Sequence, residues 1–467
     1  MTEKIVNNKQ LAISERRALG KNHRKLVPRS SHAEWTSATN RADPIKLLQA
    51  QDKGRLQELL PIKYGRMVAS PFAFYRGSAV VMASDLAPTP VSGLDVILCG
   101  DAHLSNFGIF ATPERNLVFD INDFDEVYPG PWEWDLKRLA ASAVLAGREN
   151  GFGEKECRNL ARLTARSYRE AMQRFADAAI LDVWYFHVDT DSVLNLFDKF
   201  AKESAKQAKK SVEKAESRTS QKEMRNLTQV VNGKRQFVNN PPLVQRLDDL
   251  LSEEQKAKVT RQDLESDWIA YINSLAEERR LLLERFRITD AALRVGGVGS
   301  VGTRCSILML EGDTEQDALI LQQKEAGPSA LSAYLPERQF TNQAERVVIG
   351  QRAMQAASDI FLGWHKSTLT GTPYYWRQLK DKKGSFEMQK LDLDGMGTYL
   401  AVCSICLARA HARTGDSAWI SGYLGSGTVF DKAISEFAVA YADQVKQDYQ
   451  LLVDAVNSGQ VVAQKGV

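Results

Sequence analysis

The 467-residue sequence lacks an excess of either charge, because 61 lysines and arginines stand against 58 aspartates and glutamates, for a formal net charge of +3. So small a balance gives no reason to expect nucleic acid as a partner. No stretch approaches the roughly 20 apolar residues that a membrane-spanning helix needs. The first 32 residues carry charge but no apolar segment of the kind found in a secretory signal. We therefore expect no association with a membrane.

Cysteine is scarce, with five residues in the whole chain. An odd and small number argues against a disulfide scaffold and for a reducing compartment, so we expect a cytoplasmic location. Cys403 and Cys406 form a lone C-x-x-C inside a helical pattern. Without a second pair, helix packing is a better interpretation than metal binding.

Hydrophobic residues make up 43% of the chain and charged residues 25%, which is typical of a globular protein with a substantial core. Hydrophobic periodicity predicts an α+β protein with a mainly helical lobe and a smaller β-rich lobe. The expected segments are a loosely ordered basic arm (1–42), a helical lobe with polar loops (43–198), a charged helical insertion and connector (199–285), a β-rich lobe (286–396) and C-terminal helices that complete the helical lobe (397–467). The Lys- and Glu-rich part of the insertion, 199–225, predicts a solvated helix or a partly disordered segment, with a surface for an acidic partner as the alternative.

The strongest chemical signal is the segment GDAHLSN, which follows the apolar run VILC. Asp101 and Asn106 are separated by five positions, the spacing of the kinase catalytic loop H-R-D-x-x-x-x-N. There the aspartate accepts or orients the proton of the attacking hydroxyl and the asparagine holds a metal ion. His103 in the same segment is a candidate catalytic base, or a support for the loop through hydrogen bonding.

A second group of carboxylates follows the next apolar run, in LVFDINDFDE. Asp123 in this group is the preferred metal ligand, because the hard oxygens of Asp123 and Asn106 suit Mg²⁺. Asp120 and Asp125 are competitors. In an extended strand, Asp120 and Asp123 point to opposite faces, so we expect one of them to face the site.

These motifs resemble the aminoglycoside and choline phosphotransferase branch of the protein-kinase-like superfamily, which has a G-D-x-H-x-x-N loop followed by a D-F/W-x-D/E segment. The resemblance implies that Asp101 is the catalytic base, that Asn106 and Asp123 are metal ligands, and that Asp135 is a buried residue bracing the catalytic loop. From about residue 28 to 455 the chain also resembles the bacterial family called domain of unknown function 2252. The shared stretches are SPFAFYRG, CGDAHLSNFG, FDINDFDE, PWEWDLKRLAAS, VGSVGTR and ARAHARTGD.

A glycine-rich segment lies much later, in RVGGVGSVGTR. Its glycines let backbone N–H groups approach phosphate oxygens, although a plain hairpin turn also explains them; they are Gly296, Gly297, Gly299 and Gly302. Lys324 follows on a predicted strand, in the kinase order of glycine loop and then lysine. A strand lysine buried there needs a partner, and Glu345, at the start of the next helix, is our candidate. The alternative is an edge-strand lysine in water.

The order of the two regions is the reverse of that in kinases, since the catalytic loop precedes the glycine loop. Circular permutation is the simplest reconciliation, with the helix TYLAVCSICLARAHAR as the one that normally precedes the catalytic loop. His411 and Asp416 near the end of that helix have no Asn five positions later, so we interpret them as structural.

Together these features predict an enzyme, a phosphotransferase that uses ATP and Mg²⁺ and acts on a hydroxyl of an unidentified small-molecule or protein acceptor. Nucleotidyl transfer to a protein and a non-catalytic nucleotide-binding regulator are the alternatives. A third possibility is a non-enzymatic scaffold that uses the basic insertion. The oligomeric state stays open.

Overall fold

A computed structural model of the chain describes residues 11–250, 261–314 and 316–466, with the backbone alone described for 261–264. Within these ranges the structure is the mixed α+β arrangement that the sequence predicts. Residues 1–10 of the expected basic arm and residues 251–260 of the expected connector lie outside the described residues.

Helices dominate both ends of the chain. In the first half they are α1 (Ile13–His23), α2 (Pro44–Asp52), α3 (Leu60–Met67), α4 (Pro71–Arg76), α5 (Ala79–Leu86), α6 (Glu133–Glu149), α7 (Glu154–Asp177), α8 (Ile180–Tyr185), α9 (Thr190–Phe200), α10 (Lys202–Glu216) and α11 (Ser220–Leu227). In the second half they are α12 (Leu247–Leu250), α13 (Arg261–Ile272), α14 (Glu277–Leu283), α15 (Gln343–Met354), α16 (Leu393–Thr414), α17 (Ser417–Leu424) and α18 (Val429–Asn457).

The strands fall into two regions. The first holds β1 (Asp95–Leu98), β2 (Phe107–Ala111), β3 (Leu117–Ile121), β4 (Tyr128–Pro131) and β5 (Val188–Asp189). The second holds β6 (Thr228–Val231), β7 (Lys234–Phe237), β8 (Val244–Arg246), β9 (Arg287–Arg294), β10 (Cys305–Glu311), β11 (Ala318–Glu325), β12 (Gly363–Lys366) and β13 (Pro373–Gln378).

The polar loops begin at strand ends, as the sequence predicts. β1 pairs with β4, while β2 pairs with β3 and β3 pairs with β5. Residues 99–106 connect β1 to β2, and residues 122–127 connect β3 to β4. Because an apolar strand is fixed in the core, it also fixes the position of the first polar residues that follow it.

The main sheet is antiparallel, in the order β12-β13-β11-β10-β9-β8. Its apolar side chains serve two faces, as strand alternation requires. On β11, Ile320 packs in a cluster with Met224 from α11, whereas Leu319 and Leu321 pack in another with Tyr271 from α13. The predicted glycine-rich turn joins β9 to β10, and Lys324 lies near the end of β11.

The helical core contains helices from both ends of the chain. α16 contacts α7 along most of its length, and α18 packs against α6 and α7. Tyr399 on α16 donates a hydrogen bond of 2.8 Å to the carbonyl of Leu104 between β1 and β2. The C-terminal helices therefore lie directly under the polar loops.

The described part of the basic arm includes an α-helix. Residues 13–23 form α1, which packs against α17. Gly20 allows the close approach, because a Cβ at this position would lie 2.0 Å from the carbonyl oxygen of Trp419. The arm is thus part of the helical core from residue 13 onward.

The charged insertion is helical, and one of its faces is buried. On α10, Ala208, Val212 and Ala215 belong to the main apolar core, while the lysines between them face solvent. Met224 and Phe237 further along cover one face of the main sheet. The expectation of a solvated helix therefore holds for one side of α10.

Among the described residues, no helix is both long enough and apolar enough to cross a membrane.

Candidate functional site

A cleft lies between the polar loops and the main sheet. It collects residues from 99–106, 122–127, the glycine-rich turn and β11. Most of the sequence-predicted site residues line it together, namely Asp101, His103, Asn106, Asp123, Gly296, Gly297, Gly299 and Lys324. Gly302 and Glu345 are not among the lining residues.

Asp101 sits at the base of the cleft with 17% of its side chain exposed, which leaves it accessible to a bound molecule. The Arg138 guanidinium lies 2.5 Å from its Oδ1 atom. Burial raises the pKa of Asp101 to about 7; the Arg138 charge opposes the rise, and the nearby Asp123 and Glu126 charges add to it. A carboxyl that titrates near neutral pH is well matched to accepting a proton.

His103 lies beside Asp101 but is poorly placed to be the base. Its Nε2 atom is 3.6 Å from Asp101 Oδ2, and its Nδ1 atom is buried without a hydrogen-bond partner among the described residues. Burial, reinforced by the Arg76 and Arg138 charges, holds the pKa of His103 well below its usual range. A neutral imidazole at this depth favours the supporting role in the loop.

Asn106 and Asp123 offer oxygen ligands to a hard cation. Asn106 Nδ2 donates a hydrogen bond of 2.8 Å to the carbonyl of Asp101, so the amide oxygen is the atom left for a ligand. The Asp123 carboxylate lines the same cleft. The described residues contain no cluster of three or more His, Cys, Asp or Glu suited to a metal. Mg²⁺ fits such a sparse set, because it keeps several waters and completes its shell with substrate phosphates.

Asp120 is directed away from the cleft. It is 1% exposed and forms an ion pair with Arg409 of α16, with an N–O distance of 2.6 Å. It also accepts the backbone N–H of Ala356 at 2.7 Å. Asp120 therefore has a structural role, whereas Asp123 lies in the loop that follows β3 and lines the cleft.

Lys324 is 4% exposed and points from β11 into the cleft. It donates hydrogen bonds to Asp125 and, at 2.6 Å, to Ser300 Oγ. Tyr375 on the neighbouring β13 donates to the other oxygen of Asp125 at 2.7 Å. Burial by itself would lower the pKa of Lys324, but the interactions with Asp125, Tyr375 and Asp123 together outweigh it and raise that pKa. Lys324 is therefore a fixed cation.

The expected partner of Lys324 was wrong, because Asp125 and not Glu345 neutralises it. Glu345 stands in the first turn of α15, where its backbone N–H is capped by Asn342 Oδ1 at 2.8 Å. The helix instead contacts the cleft through Arg346, which donates to the carbonyls of Asp125 and Gly327. Glu345 and Arg346 are neighbours in the first turn of α15 and face different sides of the helix, which is why Arg346 and not Glu345 contacts the cleft residues.

The glycines of the turn have different reasons to be glycine. Gly302 has φ +87° and lies against Arg55, so its backbone conformation and not the cleft demands glycine. Gly297 has an ordinary φ of −69°, and a Cβ there would meet no atom within 4 Å. Arg55 and Arg66 hold the turn by donating to the carbonyls of Gly299 and Gly296 at 2.8 and 2.6 Å. Neither strain nor packing requires glycine at 297, and this residue lines the cleft.

Two arginines in the cleft were missed from the sequence. Arg76, at the end of α4, has a buried Nε atom without a hydrogen-bond partner among the described residues. Arg377 on β13 donates from Nε to Gln322 Oε1 at 2.9 Å and is close enough to Asp123 and Asp125 for their charges to raise its pKa, against the opposing effect of burial. The only available sequence signal was that each follows an aromatic residue, Tyr75 in FYRG and Trp376 in YYWRQ, which is not diagnostic. Both side chains suit an anionic ligand.

Asp135, at the start of α6, accepts backbone N–H groups from both Cys99 and Gly100, at 2.7 and 2.9 Å. His411 from α16 contacts the same carboxylate at 3.2 Å. Gly100 has φ +80°, and a Cβ there would clash with the carbonyl of Glu126 at 2.2 Å. These contacts fix the backbone immediately before Asp101, as the resemblance implies for Asp135.

The cleft thus combines a carboxyl suited to accepting a proton, oxygen ligands for a hard cation, and a set of fixed cations near a glycine-rich turn. Such a site can bind a metal–polyphosphate complex next to a proton acceptor. Residues 55–455 match the model of a family described as "Uncharacterized protein conserved in bacteria (DUF2252)". No curated protein and no solved structure matches the chain.

Proposed function

The chain belongs to the bacterial family DUF2252, and for a member with this cleft we propose an ATP- and Mg²⁺-dependent phosphotransferase that acts on a hydroxyl of a second substrate. One observation carries the proposal. Asp101, Asn106 and Asp123 from two loops meet Lys324 and the glycine-rich turn in the same cleft, although about 200 positions separate Lys324 from the carboxylates.

Each group has a role in the transfer. Asp101 accepts the proton of the attacking hydroxyl, and the hydroxyl oxygen bonds to the γ-phosphorus of ATP. The bond from that phosphorus to the β,γ-bridging oxygen breaks at the same time, so that ADP leaves. Mg²⁺ on Asn106 and Asp123 would neutralise charge on the phosphates. Lys324 has three N–H donors and uses two on Asp125 and Ser300, which leaves one for a phosphate oxygen.

We extend the proposal to the fold, as a circularly permuted protein-kinase-like arrangement. The order of strand, glycine-rich turn, strand, lysine strand and helix over β9 to α15 agrees with the kinase small lobe. α16 lies under the loop that carries Asp101, with Tyr399 bonded to Leu104 and His411 to Asp135. That is the place expected for the helix which precedes the catalytic loop in the unpermuted order.

The test is the release of labelled phosphate from γ-labelled ATP, with water as the default acceptor and with pools of hydroxyl compounds. We expect Mg²⁺-dependent turnover by the wild type and a loss of at least about 100-fold in Asp101→Asn, because general-base contributions are of this size. Lys324→Met should also impair turnover or nucleotide affinity. Asp198→Asn, on an exposed turn of α9, is the matched control.

Three outcomes would contradict the proposal. Turnover that is equal in wild type and Asp101→Asn would remove the base from its role. Binding of Mg²⁺-ATP without turnover on any acceptor would favour a nucleotide-binding regulator. AMP rather than phosphate on the product would select nucleotidyl transfer.

A further inference from the structure

A second cavity opens behind the glycine-rich turn, and we refer to it as the basic pocket. It shares Gly296, Gly297, Gln322 and Arg377 with the cleft. Among its described lining residues there is no carboxylate, but there are five basic side chains, which are Arg218, Arg294, Arg377, Lys380 and Lys383.

The described residues compensate the positive charge of the basic pocket only in part. Asp123 and Asp125, which line the cleft, act on Arg377 and Lys383. Lys380 has a carboxylate nearby, Glu223 at 3.4 Å. Lys383 donates to the backbone carbonyl of Asn122 at 3.3 Å, and Arg218 donates to the carbonyl of Lys383 at 2.9 Å. The side chain of Arg294 has no hydrogen bond or ion pair with any described residue.

These side chains are half-buried, so water screens their mutual repulsion only in part. Burial, reinforced by the Arg377 charge, lowers the pKa of Lys383 to about 7. Half-buried cations of one sign are costly unless an anion joins them. A phosphate dianion accepts charged hydrogen bonds from several Arg and Lys side chains at once.

The basic pocket and the cleft differ in the residues that they do not share. Lys324, Asn106 and Asp123, proposed to hold the nucleotide phosphates and their metal ion, line the cleft and not the basic pocket. Arg294, Lys380 and Lys383 line the basic pocket and not the cleft. Ser105, in the same loop as Asp101 and Asn106, lines the basic pocket. A molecule anchored in the basic pocket can therefore reach the loop that carries the proton acceptor.

We propose that the basic pocket binds the phosphate group of the second substrate, so that the acceptor is a hydroxyl compound already carrying a phosphomonoester. This inference rests on the proposed function and narrows it. A phosphate group in the basic pocket could instead belong to the nucleotide itself. The experiment separates a phosphate of the second substrate from a phosphate of the nucleotide.

The experiment measures the binding of inorganic phosphate by calorimetry, without and with saturating Mg²⁺ and a non-hydrolysable ATP analogue. We expect phosphate to bind in both conditions. Arg294→Gln and Lys383→Gln should each weaken phosphate binding by about tenfold, the loss of one charged hydrogen bond. They should leave the affinity for the Mg²⁺-nucleotide analogue within about twofold of the wild type, because neither residue lines the cleft.

The control is Lys432→Gln/Lys446→Gln, which removes two exposed charges from α18 and should not change phosphate binding. Arg294→Gln removes no hydrogen bond or ion pair to a described residue and relieves repulsion among the cations, so its thermal midpoint should not fall below that of the wild type. If phosphate and the nucleotide analogue exclude each other, the basic pocket serves the nucleotide and the inference fails. Unchanged phosphate affinity in Arg294→Gln and Lys383→Gln would also overturn it. Failure of the phosphotransferase proposal would appear separately, as an absence of Mg²⁺-nucleotide binding or turnover.

Discussion

The pH dependence of turnover follows from the environment of Asp101. With a pKa of about 7, the carboxylate is the minor form at pH 6 and the major form at pH 8. Its ionised fraction rises from about 9% to about 91% over that interval, so kcat/KM should rise about tenfold if Asp101 is the base. kcat/KM is the appropriate quantity, because it reports the groups of the free enzyme.

Changing Arg138 provides the sharper test, because its guanidinium lies 2.5 Å from the Asp101 carboxylate and opposes the rise in pKa. Removing an opposite charge at this distance raises a carboxyl pKa by about 1–3 units. In Arg138→Gln the midpoint of the profile should therefore move upward. At pH 7 the ionised fraction, and with it kcat/KM, should fall by at least about fivefold.

The assay is phosphate release from ATP between pH 5 and 10 for the wild type, Arg138→Gln and Arg138→Lys. Activity of Arg138→Gln should recover as the pH rises, which a misfolded variant would not do. Arg138→Lys keeps a charge, so its midpoint should shift less. A wild-type midpoint below pH 5, or one that Arg138→Gln leaves unchanged, would refute the assignment of Asp101 as the base.

Three further changes test the rest of the cleft. Asp123→Asn should weaken binding of a Mg²⁺-nucleotide analogue by about tenfold or more, since the cation loses a charged ligand; undiminished affinity by calorimetry would count against the metal role. Gly297→Val should leave the free energy of unfolding within about 0.5 kcal/mol of the wild type but reduce nucleotide affinity, and normal affinity would show that the space beside Gly297 is not used. Asp125→Asn should lower the free energy of unfolding in urea by about 3 kcal/mol, because Lys324 becomes a buried unpaired charge; an unchanged midpoint would mean that the pair adds nothing to stability.

Local sequence was enough to place one half of the site. Asp101 and Asp123 each follow an apolar strand closely, and Asn106 ends the loop between β1 and β2, so the adjoining strands set their approximate positions. Strand alternation predicted that one of Asp120 and Asp123 faces the site, but it did not decide which of them. The same reasoning predicted the strands of the β-rich region and the glycine-rich turn, because their periodicity is local.

The partner of Lys324 could not be predicted in this way. Asp125 lies 199 positions away, and its selection over Glu345 depends on how two loops and a sheet pack. Arg76 and Arg377 were missed for the same reason, because only the packing of distant segments brings each of them to the cleft. The buried face of α10 did have a local signal, in the small residues Ser204, Ala208, Ser211 and Ala215, which the abundance of lysine obscured.

The contact between Tyr399 and the carbonyl of Leu104 joins positions 295 residues apart. A ribosome adding about 5–20 residues per second therefore completes α16 roughly 15–60 s after it has made the loop beneath which that helix packs. During this interval the apolar surfaces of α6 and α7 are not yet covered by α16 and α18. Biogenesis of this protein should consequently depend more on chaperones that shield nascent chains than the modest size of its lobes would suggest.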